Sequence, residues 1–279
     1  MAVLIDLHSH SKNSPDAIHS VMEMCNQAKN VGISAYSITD HFECKNENWY
    51  DKKSDGTKII LASFKDIFEN SMKEIKEAKE YFGDSIEIIS GIELGEPTQD
   101  FERATKYATD DRLDFVIASD HEVGNHEDFY YLDYEKEDVP RLMIMYFDEL
   151  YEICKWNKFD VLGHLTLPLR YITGEHGIKV DMKPYTEKIR ECYKVLVQNG
   201  KGIEINTSGI RQKFGDFLPS FEYVKMFHEL GGEVLTIGSD SHCMQDVGKG
   251  IKEGIEMASS AGFKYICYFK KHKPIFVKI

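Results

Sequence analysis

Short apolar runs alternate with longer stretches of helical spacing along the whole chain. "AVLIDL" (2–7) reads as a strand, and the spacing from Ser20 to Asn30 as a helix, with Gly32 just beyond as a stop signal. "ISAYSIT" (33–39) is a second strand. Phe64 to Phe82 repeats its apolar positions at helical intervals and is followed by Gly83. "IEIISGI" (86–92) predicts a third strand, Phe101 to Ala108 a helix, and "LDFVIAS" (113–119) a fourth strand. A helix over Phe147–Trp156 leads to a fifth strand, "FDVLGH" (159–164). Residues 184–198 form a helix with Pro184 near its start and Gly200 past its end. "GIEIN" (202–206), "EVLTIGSD" (233–240) and "YICYF" (265–269) are further strands, separated by helices near 220–230 and 250–261.

Such alternation argues for an α/β protein with a mainly parallel sheet. No low-complexity tract or linker divides the chain, so a single domain over 1–279 is expected. The sheet can stay open and doubly wound, or close into a barrel. No G-x-G-x-x-G or P-loop follows any strand, which weakens the open nucleotide-binding form. A barrel fits the number of units better. It also predicts that functional residues collect where the strands end.

The sequence meets that expectation. The first strand ends at His8 and His10, and the second at Asp40 and His41. The third ends in "GIELGE" with Glu93 and Glu96, the fourth in "ASDH" with Asp120 and His121, and the fifth at His164. "EINTSG" supplies Glu204 and Asn206, and "GSDSH" supplies Asp240 and His242. Each piece alone is ordinary, because H-x-H suits a polar loop and Asp or Ser can cap a helix. The signal is the coincidence at one rim. His19, His126, His176, His228 and His272 fall in predicted helices or loops and are read as ordinary histidines. Imidazole with carboxylate and no thiolate suits Zn, Mn or Fe in a catalytic centre. Both side chains of H-x-H point to the same side of an extended strand, so one metal can take both.

Composition narrows the partners. The net charge is −13 and the pI about 5.3. That disfavours binding to bare nucleic-acid backbones. The six cysteines (Cys25, Cys44, Cys154, Cys192, Cys243 and Cys267) form no C-x-x-C pair, as suits a reducing cytosol. No run reaches the length of a transmembrane helix and the start lacks the features of a signal peptide, so a cytoplasmic protein is expected. The oligomeric state is not legible.

The order H-x-H, "TDH", "GIE", an isolated His, "GH" and "SDSH" resembles that of the PHP (polymerase and histidinol phosphatase) metallohydrolases, over nearly the whole chain. Within that superfamily, "DVLGHLTLPLRY", "GIEINTSGIR" and the ending "AGFKYICYFKKHKPIFVKI" look most like the histidinol-phosphate phosphatase branch. The resemblance implies a distorted (β/α)7 barrel of TIM-like kind with three divalent metals. It places one metal on His8, His10, Glu93 and Asp240. Glu93 bridges to a second, held also by His121 and His164. The third falls to His41, His242 and a residue in the loop after H-x-H, for which Asp16 is the match. The family's phosphate-clamping arginines fall on Arg170 and Arg211, whose guanidinium forks suit phosphate oxygens.

The sequence departs from the family before His121. A "GSVH" pattern is usual there, and this chain has Ala118 and Asp120. Two readings stay open: Asp120 supports a ligand histidine, or the substrate pocket is altered.

The implied activity is hydrolysis of a small phosphate monoester, L-histidinol phosphate, in histidine biosynthesis. A hydroxide bridging two metals attacks phosphorus while the arginines stabilise the equatorial oxygens. Asp240, His242 and a metal-bound water are candidates to protonate the leaving group, and no covalent phospho-enzyme is required. The substrate's amino and imidazole groups call for acidic or polar partners, for which Glu43, Glu47, Asp120 and Glu175 are available. Two rivals are weighed: a PHP phosphoesterase for another monoester or a phosphotyrosine peptide, and a metal-binding module without turnover. The complete ligand set and both arginines speak against the second.

Overall fold

The computed structural model describes residues 3–52 and 57–279. The chain starts with β1 (Leu4–Asp6) and α1 (Val21–Asn30). Ser20 starts α1 with a reciprocal cap: its hydroxyl accepts from Glu23 N, and the Glu23 carboxylate accepts from Ser20 N. β2 (Ile33–Ile38) and the short β3 (His41–Glu43) follow, then a hairpin of β4 (Asn48–Lys52) and β5 (Lys58–Ser63). α2 (Phe64–Phe82) buries Ile67, Phe68, Met72, Ile75 and Ala78, a stripe at helical spacing. β6 (Glu87–Gly95), α3 (Phe101–Ala108), β7 (Phe115–Ser119), α4 (Val139–Trp156) and β8 (Val161–Leu162) come next. α5 (Thr186–Gln198), β9 (Gly202–Asn206), α6 (Ser208–Arg211), α7 (Phe221–Glu229), β10 (Leu235–Gly238) and α8 (Ile251–Ala261) complete the repeat.

The strands pair in parallel in the order β1-β2-β6-β7-β8-β9-β10. The last returns to the first. Leu7 N donates to Ile237 O at 3.0 Å, Asp240 N donates to His8 O at 2.7 Å, and Ser9 and Ser241 form a parallel bridge. The result is a nearly closed barrel of seven parallel strands ringed by helices, the distorted (β/α)7 form. Ile5, Leu7, Ile92, Leu94, Val116, Ile117, Ile203, Ile205 and Ile237 are buried along its strands. β3 extends the second barrel position beyond a break at Thr39–Asp40 and pairs with β6, His41 opposite Glu93.

The β4–β5 hairpin is absent from the sequence reading, and three predicted elements differ from it in extent or place. α4 starts at Val139, because Asp138 accepts from Arg141 N and Pro140 fits the first turn. β8 has two residues; just before it, Asp160 N donates to Val116 O and the Asp160 carboxylate accepts from Val116 N, both at 2.9 Å. "YICYF" forms β11 (Tyr265–Lys270), which lies outside the barrel and pairs antiparallel with β12 (Lys273–Lys278). This terminal hairpin covers the barrel end opposite the rim. Phe269 stacks on Phe115 with centroids 4.9 Å apart, and Lys271 N donates to Asp114 Oδ1 at 3.1 Å.

Candidate metal centre

The strand ends bring their histidines and carboxylates together around Glu93, which is buried on β6. His8, His10 and His41 each place a ring nitrogen 3.0–3.5 Å from Glu93 Oε2. His121 and His164 lie 3.3 and 2.8 Å from Oε1. The two carboxylate oxygens thus face different sets of imidazoles. Asp240 Oδ1 is 3.5 Å from His10 Nε2 and 3.9 Å from His8 Nε2. Asp16 Oδ2 lies 3.5 Å from His41 Nε2 and 3.2 Å from His242 Nε2. The nine side chains singled out as ligands therefore meet in one cluster. The five histidines read as ordinary sit elsewhere, against Met244 N, Glu137, Tyr134, Phe263 and Asp160 respectively.

Local backbone explains the convergence. His8 and His10 project to one side of the chain leaving β1, with ring centroids 5.1 Å apart. Asp40 holds the following loop, accepting from Ser11 N, Ser11 Oγ and Ser14 Oγ at 2.7, 2.8 and 3.0 Å. That loop carries Asp16. Asp240 sits at φ 53°, in the left-handed region that few non-glycine residues adopt. Gly238 cannot be replaced, because a Cβ there would meet His8 Cβ and Glu204 Oε1.

Glu93 Oε1 accepts from Ser119 Oγ at 2.7 Å and meets His164 Nε2 at 2.8 Å, but several other polar atoms of the cluster lack hydrogen-bond partners. His8 Nε2, both ring nitrogens of His10, His41 Nδ1, His164 Nδ1 and Glu93 Oε2 are buried and unpaired. Buried polar groups are normally satisfied. Several imidazole nitrogens aimed at shared carboxylates are what divalent cations would satisfy, and His/Glu/Asp donors suit Zn, Mn or Fe. Among the described residues, four groups of donor atoms are close enough to hold an ion: His8–His10–Glu93, Glu93–His121–His164, His10–His41–His242 and His41–Glu43–His121.

Burial alone would raise the carboxyls of Glu93 and Asp240, but His8 and its neighbours, with Arg170 beside Asp240, hold both well below the ordinary range. Burial and the neighbouring His41 and His242 push His10 far down, whereas the surrounding carboxylates outweigh burial and hold His8, His41 and His121 well above the ordinary imidazole range. Asp16 is held low by His41 and His242 against the effect of burial.

Sequence reasoning gave Glu204 no role, yet it orients the centre. Its Oε1 lies 2.7 Å from His8 Nδ1, so Nε2 faces Glu93, and its Oε2 accepts from His164 N at 2.9 Å. Asn206, two residues on, donates to Asp240 Oδ2 at 3.3 Å and accepts from Ser208 Oγ at 2.6 Å. The signal was present in the alternation of "GIEIN", whose Glu204 and Asn206 share a face. Glu96 accepts from His121 N at 2.8 Å. Asp120, by contrast, is buried with both oxygens unpaired, near Glu149 and Glu96, and does not face the opening.

Both arginines reach the same rim. Arg170 begins a wide helical turn (Arg170–Glu175) and donates to Asp240 Oδ2 at 2.8 Å and to Ser208 Oγ. Arg211 ends α6, donates to Asp240 O at 2.9 Å and pairs with Asp246 at 3.3 Å. With Gln212, His242 and Lys249 they line a cavity of about 410 Å³ beside the histidine cluster.

A parallel barrel with this histidine and carboxylate rim defines a metallohydrolase-type centre. Residues 6–208 match the family described as PHP domain, and the chain belongs to that family. It is 28% identical to the "Probable histidinol-phosphatase" of Thermotoga maritima over 99% of this chain and 100% of that one. It is 26% identical to the "Histidinol-phosphatase" of Lactococcus lactis subsp. lactis, over 96% of this chain and 95% of that one. The fold matches the crystal structure of a histidinol phosphate phosphatase from Lactococcus lactis subsp. lactis, solved with zinc, L-histidinol and phosphate. The TM-score is 0.81 at 22% identity, covering 99% of this chain and 100% of the other.

Proposed function

We propose that this chain is a phosphoric monoester hydrolase that converts L-histidinol phosphate to L-histidinol and phosphate, using three divalent metal ions. One observation carries the reading: a buried cluster of unpaired imidazole nitrogens around Glu93 borders a cavity into which Arg170 and Arg211 both project. The metal groups and the anion groups share one opening. The names of the full-length relatives, and the L-histidinol and phosphate bound in the Lactococcus structure, support the substrate.

In this reading His8, His10, Glu93 and Asp240 hold one cation, Glu93 with His121 and His164 a second, and Asp16, His41 and His242 a third. Bound there, Zn, Mn or Fe supplies Lewis acidity and water acidified toward neutral pH. The chain's residues do the rest. Arg170 and Arg211 receive the phosphate oxygens as planar forks and fix the monoester in the cavity. Their charge also stabilises the transferring phosphoryl group. Ser208 and Asn206 hold Arg170 in place before substrate arrives. His242, with a side chain 30% exposed, lines the mouth of the cavity beside the two arginines, while Asp240, held ionised by His8 and Arg170, has no proton to give the departing alcohol. All of this falls to one domain.

Among the described residues no helix is long and apolar enough to cross a membrane. A cytoplasmic location fits the cysteines, which are free and mostly buried.

A kinetic panel tests the substrate. The metal-loaded protein should hydrolyse L-histidinol phosphate with kcat/KM orders of magnitude above sugar phosphates, nucleotides and phosphotyrosine peptides. A comparable or higher value for any of those would overturn the assignment.

A further inference from the structure

The Arg211 guanidinium is held at two of its three nitrogens. Nη2 donates to Asp240 O at 2.9 Å, and Nε lies 3.3 Å from Asp246 Oδ2. Nη1 has no hydrogen-bond partner. Asp246 is itself held, with Oδ1 2.9 Å from Lys249 Nζ. Arg211 receives phosphate in the reading above. Asp246 lines the same cavity and has no role in it.

The turn that carries Asp246 is anchored on the barrel. It spans Met244–Asp246, soon after β10, and Met244 N donates to His19 Nδ1 at 3.2 Å. Two residues beyond Asp246, Gly248 N donates to Asp6 Oδ2 at 3.0 Å. Asp6, on β1, is fully buried and also accepts from Ser239 N and Ser239 Oγ at 2.8 and 2.6 Å. The Lys249 carbonyl accepts from Thr207 Oγ1 at 2.7 Å, in the stretch between β9 and α6. Asp246 and its lysine are thus fixed from β1 and from the base of the helix that bears Arg211.

Arg211, by contrast, ends a helix of four residues. A long side chain on so short an element has rotamer freedom that phosphate binding must remove. A short acid on an anchored turn removes it beforehand.

We propose that Asp246 is a positioning residue, which holds Arg211 by Nε so that its Nη1 edge is left for the phosphate. The proposal rests on the phosphatase reading above, which puts phosphate in this cavity. Charge alone argues the opposite, since a carboxylate repels phosphate. Lys249 offsets that charge, and the Asp246 side chain is 29% exposed, so water screens what remains. The orientation of a donor acts at contact and is not screened.

The test is the dissociation constant of inorganic phosphate for the metal-loaded protein, measured by titration calorimetry, which needs no turnover. Asp246→Ala should weaken binding about 3–10-fold with metal content unchanged. Asp246→Asn keeps an acceptor oxygen for Nε and should stay within about twofold of the parent. In an Arg211→Ala background, Asp246→Ala should change nothing further, because the side chain it positions is gone. Unchanged binding by Asp246→Ala would overturn the proposal. Tighter binding would do so too, by marking Asp246 as a competitor for Arg211. So would an Asn variant as weak as the Ala variant, an undiminished effect without Arg211, or a loss of metal. Should Asp246→Ala fail to fold, Asp246→Ser, too short to reach Nε, carries the test with the same expectations. A parent that binds phosphate but hydrolyses no monoester would refute the phosphatase reading and leave this test standing. A parent that binds no phosphate overturns the proposal.

Discussion

Glu93 is the residue on which the centre turns, but Glu204 shows how its neighbours are prepared. A metal-binding imidazole needs its second nitrogen fixed by a partner, which sets tautomer and ring orientation. Glu204 does this for His8 and also holds the backbone of His164. One carboxylate thus serves ligands of two predicted sites. Glu204→Ala should weaken metal binding about 10–100-fold, read as the metal dissociation constant by competition with a chromophoric chelator. Unchanged affinity would show that His8 is oriented without it. Eight of the nine proposed ligands could be singled out in the sequence because each stands at a strand end; Asp16, in the loop after H-x-H, came from the resemblance alone. Glu204 stands there too, but nothing in the sequence says which atom it faces. Asp120 was the opposite case: its position beside His121 invited a role, and its side chain turns into the protein behind the rim.

At the scale of elements, the terminal hairpin β11–β12 and helix α2 are joined to the barrel through Asp114, just before β7. Its carboxylate lies 2.6 Å from Lys79 Nζ and accepts from the amides of Ser90 and Lys271 at 3.3 and 3.1 Å. Burial alone would raise its pKa, but Lys79 and these amides more than reverse that, so the folded value is depressed. A depressed carboxyl contributes stability that is complete above its unfolded pKa, near 4, and is lost as pH falls through the folded value. Asp114→Asn should cost roughly 1–3 kcal/mol at pH 7, or about 2–4 °C in Tm per kcal/mol, and the difference should shrink below about pH 4. A constant difference in thermal unfolding down to acid pH would contradict this. The sequence located "YICYF" as a strand and not its place, because apolar patterning reports burial and not the pairing partner. The β4–β5 hairpin was missed for a related reason. β5 leaves Ile59, Ile60 and Leu61 exposed and lacks the alternation that marks a half-buried strand.

For the whole molecule, the barrel turns a linear pattern into a chemical centre. Histidines and carboxylates far apart in sequence meet because parallel strands all end on one rim. The same geometry reconciles an acidic chain with an anionic substrate. The net charge is −13, and in the cavity beside the cluster Arg170, Arg211 and Lys249 are paired with Asp240 and Asp246. Three divalent cations would outweigh the carboxylates of Asp16, Glu93 and Asp240, making the opening positive. The most direct measurement is metal content by elemental analysis, taken alongside turnover of L-histidinol phosphate by the same purified sample. The account predicts about three divalent ions per chain at full activity, loss of turnover when a chelator removes them, and recovery on adding Mn or Zn. Full activity in protein stripped of metal would contradict it.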